Sequence, residues 1–150
     1  MEQTKEQLYK NWMELLSTWM IATLKVGKEL SGEIFFQKLE EEFHKLGVAG
    51  LEKLPISHTA EMGKDCKMIG KICDTVDELY GNPWDGYLEN SQTGFEKHLL
   101  SCPVSDLLSQ APEICTRLLP ALANGMVSAI NPDAKIKFYE CLCYRKKILG

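Results

Sequence analysis

Cys102 is the residue whose type and position come nearest to chemistry. It stands where an expected β-strand ends and the chain turns through Pro103 into a short expected helix. Amides at a helix start favour the thiolate, so a cysteine there is a candidate nucleophile. A thiol nucleophile needs a proton acceptor. His98 and Glu96 share the face of the same expected strand. Regular strand geometry puts His98 about 13 Å from Cys102, too far for a direct dyad unless the strand is broken. His58 or His44 would then have to come from elsewhere in the fold. Glu140 is the candidate acid or orienting group, because it shares an expected strand face with Ile136, Phe138, Leu142 and Tyr144. A carboxylate among such neighbours must be paired, reached by water, or held protonated. The plainer alternatives stay open: a small residue closing a strand at 102, and a solvated or lysine-paired glutamate at 140.

The chain has six cysteines. Cys141 and Cys143 point to one side of an expected strand, roughly 6.5–7 Å apart. They are weak candidate metal ligands, because the Cys-x-x-Cys spacing of a zinc ribbon or knuckle is missing. Cys115 follows Pro112-Glu113-Ile114 and lies just inside an apolar helical face. Cys66 and Cys73 belong to a seam with Met62, Ile69, Val76 and Tyr80, spaced as one face of a helix. Gly63 and Gly70 run beside it. Glycine inside a helix costs about 1 kcal/mol relative to alanine. A stripe of Gly63, Cys66 and Gly70 therefore implies close approach by a second helix or by a ligand, with Cys115 as a further ligand-side candidate. Nothing in these patterns calls for a cofactor.

These residues need elements to position them. The first helix is expected over Gln7 to about Val26, opened by a capping-box spacing at Thr4 and Gln7 and stopped by Gly27. Its expected buried stripe is Leu8, Trp12, Leu15, Trp19 and Thr23, widened by Leu16. A second helix follows Ser31, buries Phe35, Leu39, Phe43 and Leu46, ends at Gly47, and leaves Glu40, Glu41 and Glu42 in solvent. A third runs from about Thr59 to Tyr80. Trp84–Asn90 and Phe95–Ser101 read as two strands around the loop Ser91-Gln92-Thr93-Gly94. A short helix over Val104–Ser109 precedes a longer one that carries Ile114, Leu118, Leu122, Met126 and Ile130, with Pro120 expected to kink or divide it. Lys135–Tyr144 alternates as a strand should. The expected architecture is a single α+β domain over residues 1–150, a helical layer packed on a small antiparallel sheet, with residues 1–81 mainly helical.

Composition narrows the function classes. A net charge of −4 with no long basic block argues against a nucleic-acid module. No apolar run approaches the roughly 20 residues that span a bilayer, so no membrane partner is expected. The acidic, polar start, Glu2-Gln3-Thr4-Lys5-Glu6, is not that of a signal peptide, so the expectation is a cytoplasmic protein with reduced thiols. The partner left is a small-molecule ligand or substrate, with homo-oligomer formation left open.

The order of residues from Phe95 onward resembles the L-2-amino-thiazoline-4-carboxylic acid hydrolase-like family. The likeness is carried by the strand Phe95–Ser101, Cys102-Pro103, Pro112-Glu113-Ile114-Cys115 at a helix start, Asn131-Pro132, and a strand with Cys141. It covers the last third of the chain specifically. In that family the last strand commonly turns through Gly-Asp and returns with a further cysteine. Here Cys143-Tyr144 runs into Arg145-Lys146-Lys147. The resemblance implies an α+β fold with a pocket between helices and sheet, and thiol-dependent ring opening of a small heterocycle. Cys102 would be the nucleophile, with Glu140, His98 and His58 as acid–base candidates. The alternative readings are a non-catalytic domain holding a small ligand between helices and sheet, and a thiolate metal site.

Overall fold

A computed structural model describes residues 4–51, 65–80, 84–99, 102 and 105–138. Its first element, α1, spans Lys5–Leu51 and is broken once, at Gly32, where φ is +55° and ψ is −129°. An L side chain rarely adopts that conformation, so glycine makes the break possible. The two arms, residues 5–31 and 33–51, correspond to the two helices expected from sequence, but the break lies beyond Gly27. Gly27 stays helical and buried because the Phe35 ring lies against its Cα, where a Cβ would overlap it. Thr4 opens the helix, its hydroxyl accepting the Gln7 amide at 3.2 Å.

The second helix, α2, spans Cys66–Tyr80. Asp65 caps it by accepting the Met68 amide at 2.9 Å. The strands β1 (Trp84–Asn90) and β2 (Phe95–Leu99) pair antiparallel. The Ser91 hydroxyl holds their turn, accepting the Gly94 amide at 3.1 Å. The Cys66 amide bonds the Gln92 carbonyl at 3.1 Å, tying the start of α2 to this loop. A short helix α3 (Ser105–Leu108) follows. Next come a π-helical turn, Ile114–Leu118, and α4, Leu119–Ile130. Pro120 sits in the first turn of α4, directly after the π-helical turn, and Leu118 and Leu119 keep helical φ and ψ, so the proline stands where the helix changes type rather than where it breaks.

The expected helical layer on an antiparallel sheet is not what forms. The core is helix on helix. Ile21, Leu24 and Phe36 of α1 pack with Leu108, Ala111, Ile114 and Leu118, and the half-buried Phe35, Leu39 and Phe43 close around them. The two-stranded hairpin touches α2, and among the described residues no layer of helices covers its face. Two strands are too few to offer a sheet face. The third expected strand, Lys135–Tyr144, lies outside the described residues beyond residue 138. Its first part, residues 135–138, pairs with no strand among the described residues. Instead, the Asn124 side chain of α4 stands in for a neighbouring peptide. Its Oδ1 accepts the Ile136 amide at 3.0 Å and its Nδ2 donates to the Ile136 carbonyl at 3.0 Å. The Lys-Ile-Lys-Phe alternation thus marks an extended segment docked on a helix.

The expected burial of the first helix is also reversed. Leu8, Trp12, Leu15, Leu16 and Trp19 are exposed, while Ser17, Ile21, Leu24 and Gly27 form the inward face, with Met13 and Met20 beside it. The inward face carries no tryptophan, and Ser17 and Gly27 keep it low. Leu46, expected inside, is exposed as well.

Candidate functional site

Two glycines bring together the helices that wall one concavity. The second arm of α1 and α4 cross at Gly47 and Gly125, both buried. A Cβ on Gly47 would overlap the Leu122 carbonyl, and one on Gly125 would overlap the His44 carbonyl. The backbones therefore meet with nothing between them. Gly47, expected to end a helix, lies inside one. Beyond the crossing, α4 ends at Asn131, whose Oδ1 accepts the Asp133 amide at 3.0 Å while its carbonyl accepts the Ala134 amide at 3.1 Å. This asparagine turn reverses the chain, and Asn124 then pins residue 136 back against α4.

Between these three walls lies a half-open cleft of about 360 Å³. His44 contributes from α1, Asn124 and Ser128 from α4, and Lys135, Ile136 and Lys137 from the docked segment. Among the described residues no carboxylate lines it. The Asn124 amide is committed to the fold, since it also donates to the Pro120 carbonyl at 2.9 Å, and the Ser128 hydroxyl donates to the Gly125 carbonyl at 2.9 Å. Among the described residues, the groups left to meet a ligand are the His44 imidazole and the two lysine ammonium groups, with the Ile136 side chain as an apolar part of the lining. Such a surface suits a small anion.

A second polar cluster spans the break in α1. Arg117, on the π-helical turn, grips Glu33 through two bonds, Nη1 to Oε2 at 2.9 Å and Nη2 to Oε1 at 2.7 Å, and its Nε bonds Glu40. Its guanidinium also lies 5.0 Å from the Phe36 ring centre. From the other arm, Lys28 meets Glu113 at 2.7 Å. The arms on either side of Gly32 are thus both tied to residues 113–117. The Arg117 hydrogen bonds hold the Glu33 carboxyl below the usual carboxylate range, and the Lys28 hydrogen bond does the same for Glu113. Both glutamates raise the guanidinium's hold on its proton through Glu33 first and Glu40 next. Every charge here has a partner, which fits a clamp better than a reaction centre. Glu40, expected in solvent, is half-buried on Arg117, whereas Glu41 and Glu42 are exposed.

The residues singled out from sequence are dispersed. Cys102 is half-buried against the apolar core cluster, and its carbonyl accepts the Ser105 amide at 3.1 Å. Cys115, in the π-helical turn, packs half-buried against the same cluster. Cys66 opens α2 half-buried, and Gly70 is buried within it. His98 lies on β2. His58, Gly63, Glu140, Cys141 and Cys143 lie outside the described residues. Cys66, Cys73, Cys102 and Cys115 carry thiols. Among the described residues no three His, Cys, Asp or Glu side chains converge as a metal site would require. No helix among them is long and apolar enough to cross a membrane.

Reasoning from sequence missed Asn124, Ser128, Lys135 and Lys137. One signal was available: asparagine disfavours a helix interior and competes for backbone groups. An Asn inside an otherwise apolar helix therefore has a task, here the capture of Ile136.

Comparison with known proteins gives no matching family model, no matching curated protein and no matching solved structure.

Proposed function

We propose that this chain is a non-catalytic small-ligand-binding domain, and that its ligand is a small anion seated against His44, Lys135 and Lys137. The observation that carries the reading is the lining of the cleft. In a chain of net charge −4, three basic side chains from two separate elements meet at one concavity, with no carboxylate among its described lining residues. A volume of about 360 Å³ lies at the small end of ligand sites, which run from about 300 to 1,000 Å³. The pocket differs from the one expected between helices and sheet, because its walls are two helices and a docked extended segment. A reducing, cytoplasmic setting goes with this proposal, supported by thiols at four half-buried positions.

The test is direct. Acetate, malonate and inorganic phosphate are titrated into labelled protein while the His44 ring and the backbone amides of residues 134–137 are followed by NMR. Saturable shifts confined to these groups, lost in Lys135→Ala/Lys137→Ala, are expected. Shifts that never saturate, or that persist in the double variant, sink the proposal.

A thiol-dependent hydrolase is the second reading. It is favoured by the resemblance from Phe95 onward and by Cys102 and Cys115 lying on one apolar cluster. Cys102 would attack the C=N carbon of a small heterocycle, and a histidine would carry the proton. This reading requires a thiol with a lowered pKa. Iodoacetamide labelling of Cys102 at pH 6–7, no faster than that of a simple thiol, rules the nucleophile out.

A further inference from the structure

We propose that the outer face of the first arm of α1 is the seam of a homodimer, pairing antiparallel with the same arm of a second copy of this chain. Leu8, Trp12, Leu15, Trp19, Ala22 and Val26 step by four and three alternately along residues 5–31. That is the a/d repeat of a helix that packs against another helix, and here it is sustained from end to end of the arm. The whole seam faces solvent: Trp12 is 60% exposed, Leu15 60% and Trp19 71%. The opposite face, through Ser17, Ile21 and Leu24, is already buried in the core. The arm therefore has two apolar faces, and the fold covers one of them.

Three observations select a second copy as the occupant. The first is area. With Leu16 beside them, the seam residues expose on the order of 700 Å², close to the roughly 800 Å² per partner of a standard interface. The second is shape. In an antiparallel pair centred at Ser17, Trp12 meets Ala22, Trp19 meets Leu15, and Leu8 meets Val26, each contact occurring twice. Each tryptophan is set opposite a smaller side chain, and no register shift is needed to use the full seam. The third is charge. The positions flanking the seam are Tyr9, Asn11, Leu16, Thr18 and Thr23, with Lys25 falling near Asn11 of the other copy, so the pairing opposes no like charges. An extended peptide would demand neither the four–three period nor this large-to-small order, and the arm lacks the strongly basic polar face of a membrane-lying helix.

Sedimentation equilibrium of the full chain over a range of about 1–100 µM, with far-UV circular dichroism of each variant, tests the proposal. A reversible two-fold mass is expected for the wild type. Trp19→Lys should be monomeric at every concentration with an unchanged helical spectrum. Ala22→Trp should weaken the dimer at least ten-fold by opposing Trp12, and Trp12→Ala/Ala22→Trp should restore most of that loss, because the swap recreates the large-to-small contact in reverse. A wild type that stays monomeric overturns the proposal, whatever else covers the seam. So does a dimer that survives Trp19→Lys, or one that the swap fails to restore.

Discussion

Replacing Gly47 by alanine sets two effects of known sign against each other. Alanine in a helix interior gains about 1 kcal/mol over glycine. Against that, the new Cβ would overlap the Leu122 carbonyl and stand 3.0 Å from the Met126 nitrogen. Both are backbone atoms of α4, so no rotamer change relieves the overlap and the two helices must separate. Overpacking a well-fitted contact costs about 1–3 kcal/mol and occasionally more. An overlap with rigid backbone belongs at the upper end, which leaves Gly47→Ala about 2 kcal/mol less stable. For a domain of this length that lowers Tm by about 4–8 °C. Gly50, on the same arm, is the control, because a Cβ there meets nothing within 4 Å. Gly50→Ala should raise stability by about 0.5 kcal/mol. Thermal melts followed by circular dichroism separate the two, with NMR shifts at His44 reporting whether the cleft opens. If Gly47→Ala stabilises the chain as Gly50→Ala does, the close crossing of α1 and α4 is refuted, and the cleft walls with it.

Other expectations follow from the same contacts. Asn124→Ala should cost about 1–3 kcal/mol, since it leaves both polar groups of Ile136 without their partner, and hydrogen exchange at the Ile136 amide should accelerate; an unchanged amide would mean that Asn124 does not hold the segment. Glu33 and Glu113 have carboxyls held below their ordinary value of 4.5, so the stability they lend is present above pH 4.5 and lost as the pH falls through their lower folded values. Melting temperature should therefore decline below about pH 4.5, and Glu33→Gln/Glu113→Gln should melt lower at pH 7 with a shallower acid decline; a parallel decline would remove the clamp from the account. Leu118, fully buried beside Ile114, should lose about 2–5 kcal/mol on truncation to alanine by urea denaturation, and a loss below about 1 kcal/mol would mean that the cluster is not the core.

What the sequence made legible was local. Thr4 marked a helix start, Ser91 to Gly94 marked a turn, and Pro120 marked the change from a π-helical turn to α-helix, because each acts through backbone groups within a few residues. What it concealed depended on distant partners. Gly27, Gly32 and Gly47 are indistinguishable as letters. One accommodates the Phe35 ring, one turns the chain through positive φ, and one lets α4 approach. The period-two pattern of residues 135–138 fits an extended backbone, but it does not say whether another strand or the amide of Asn124 will satisfy it. The cleft was hidden for the same reason, since His44 and Lys137 become neighbours only after Gly47 and Gly125 have met.

The first arm of α1 carries this distinction furthest. Periodicity located its large apolar stripe correctly and then misjudged what covers it. The face that enters the core is the one with Ser17 and Gly27 on it, because helices pack closely where side chains are small and because Ile21 and Leu24 suffice to fill the space against Ile114 and Leu118. Two tryptophans seven residues apart would hold the arm away from that core. They face outward. The seam lies before Gly32 and the cleft after it, on arms joined by one glycine and tied separately to residues 113–117 through Lys28 and through Glu33 and Glu40. A charge placed at Trp19 is therefore expected to disrupt the proposed dimer without moving His44, Lys135 or Lys137. The proposed assembly and the proposed ligand binding are separable, and a defect in one is no evidence against the other.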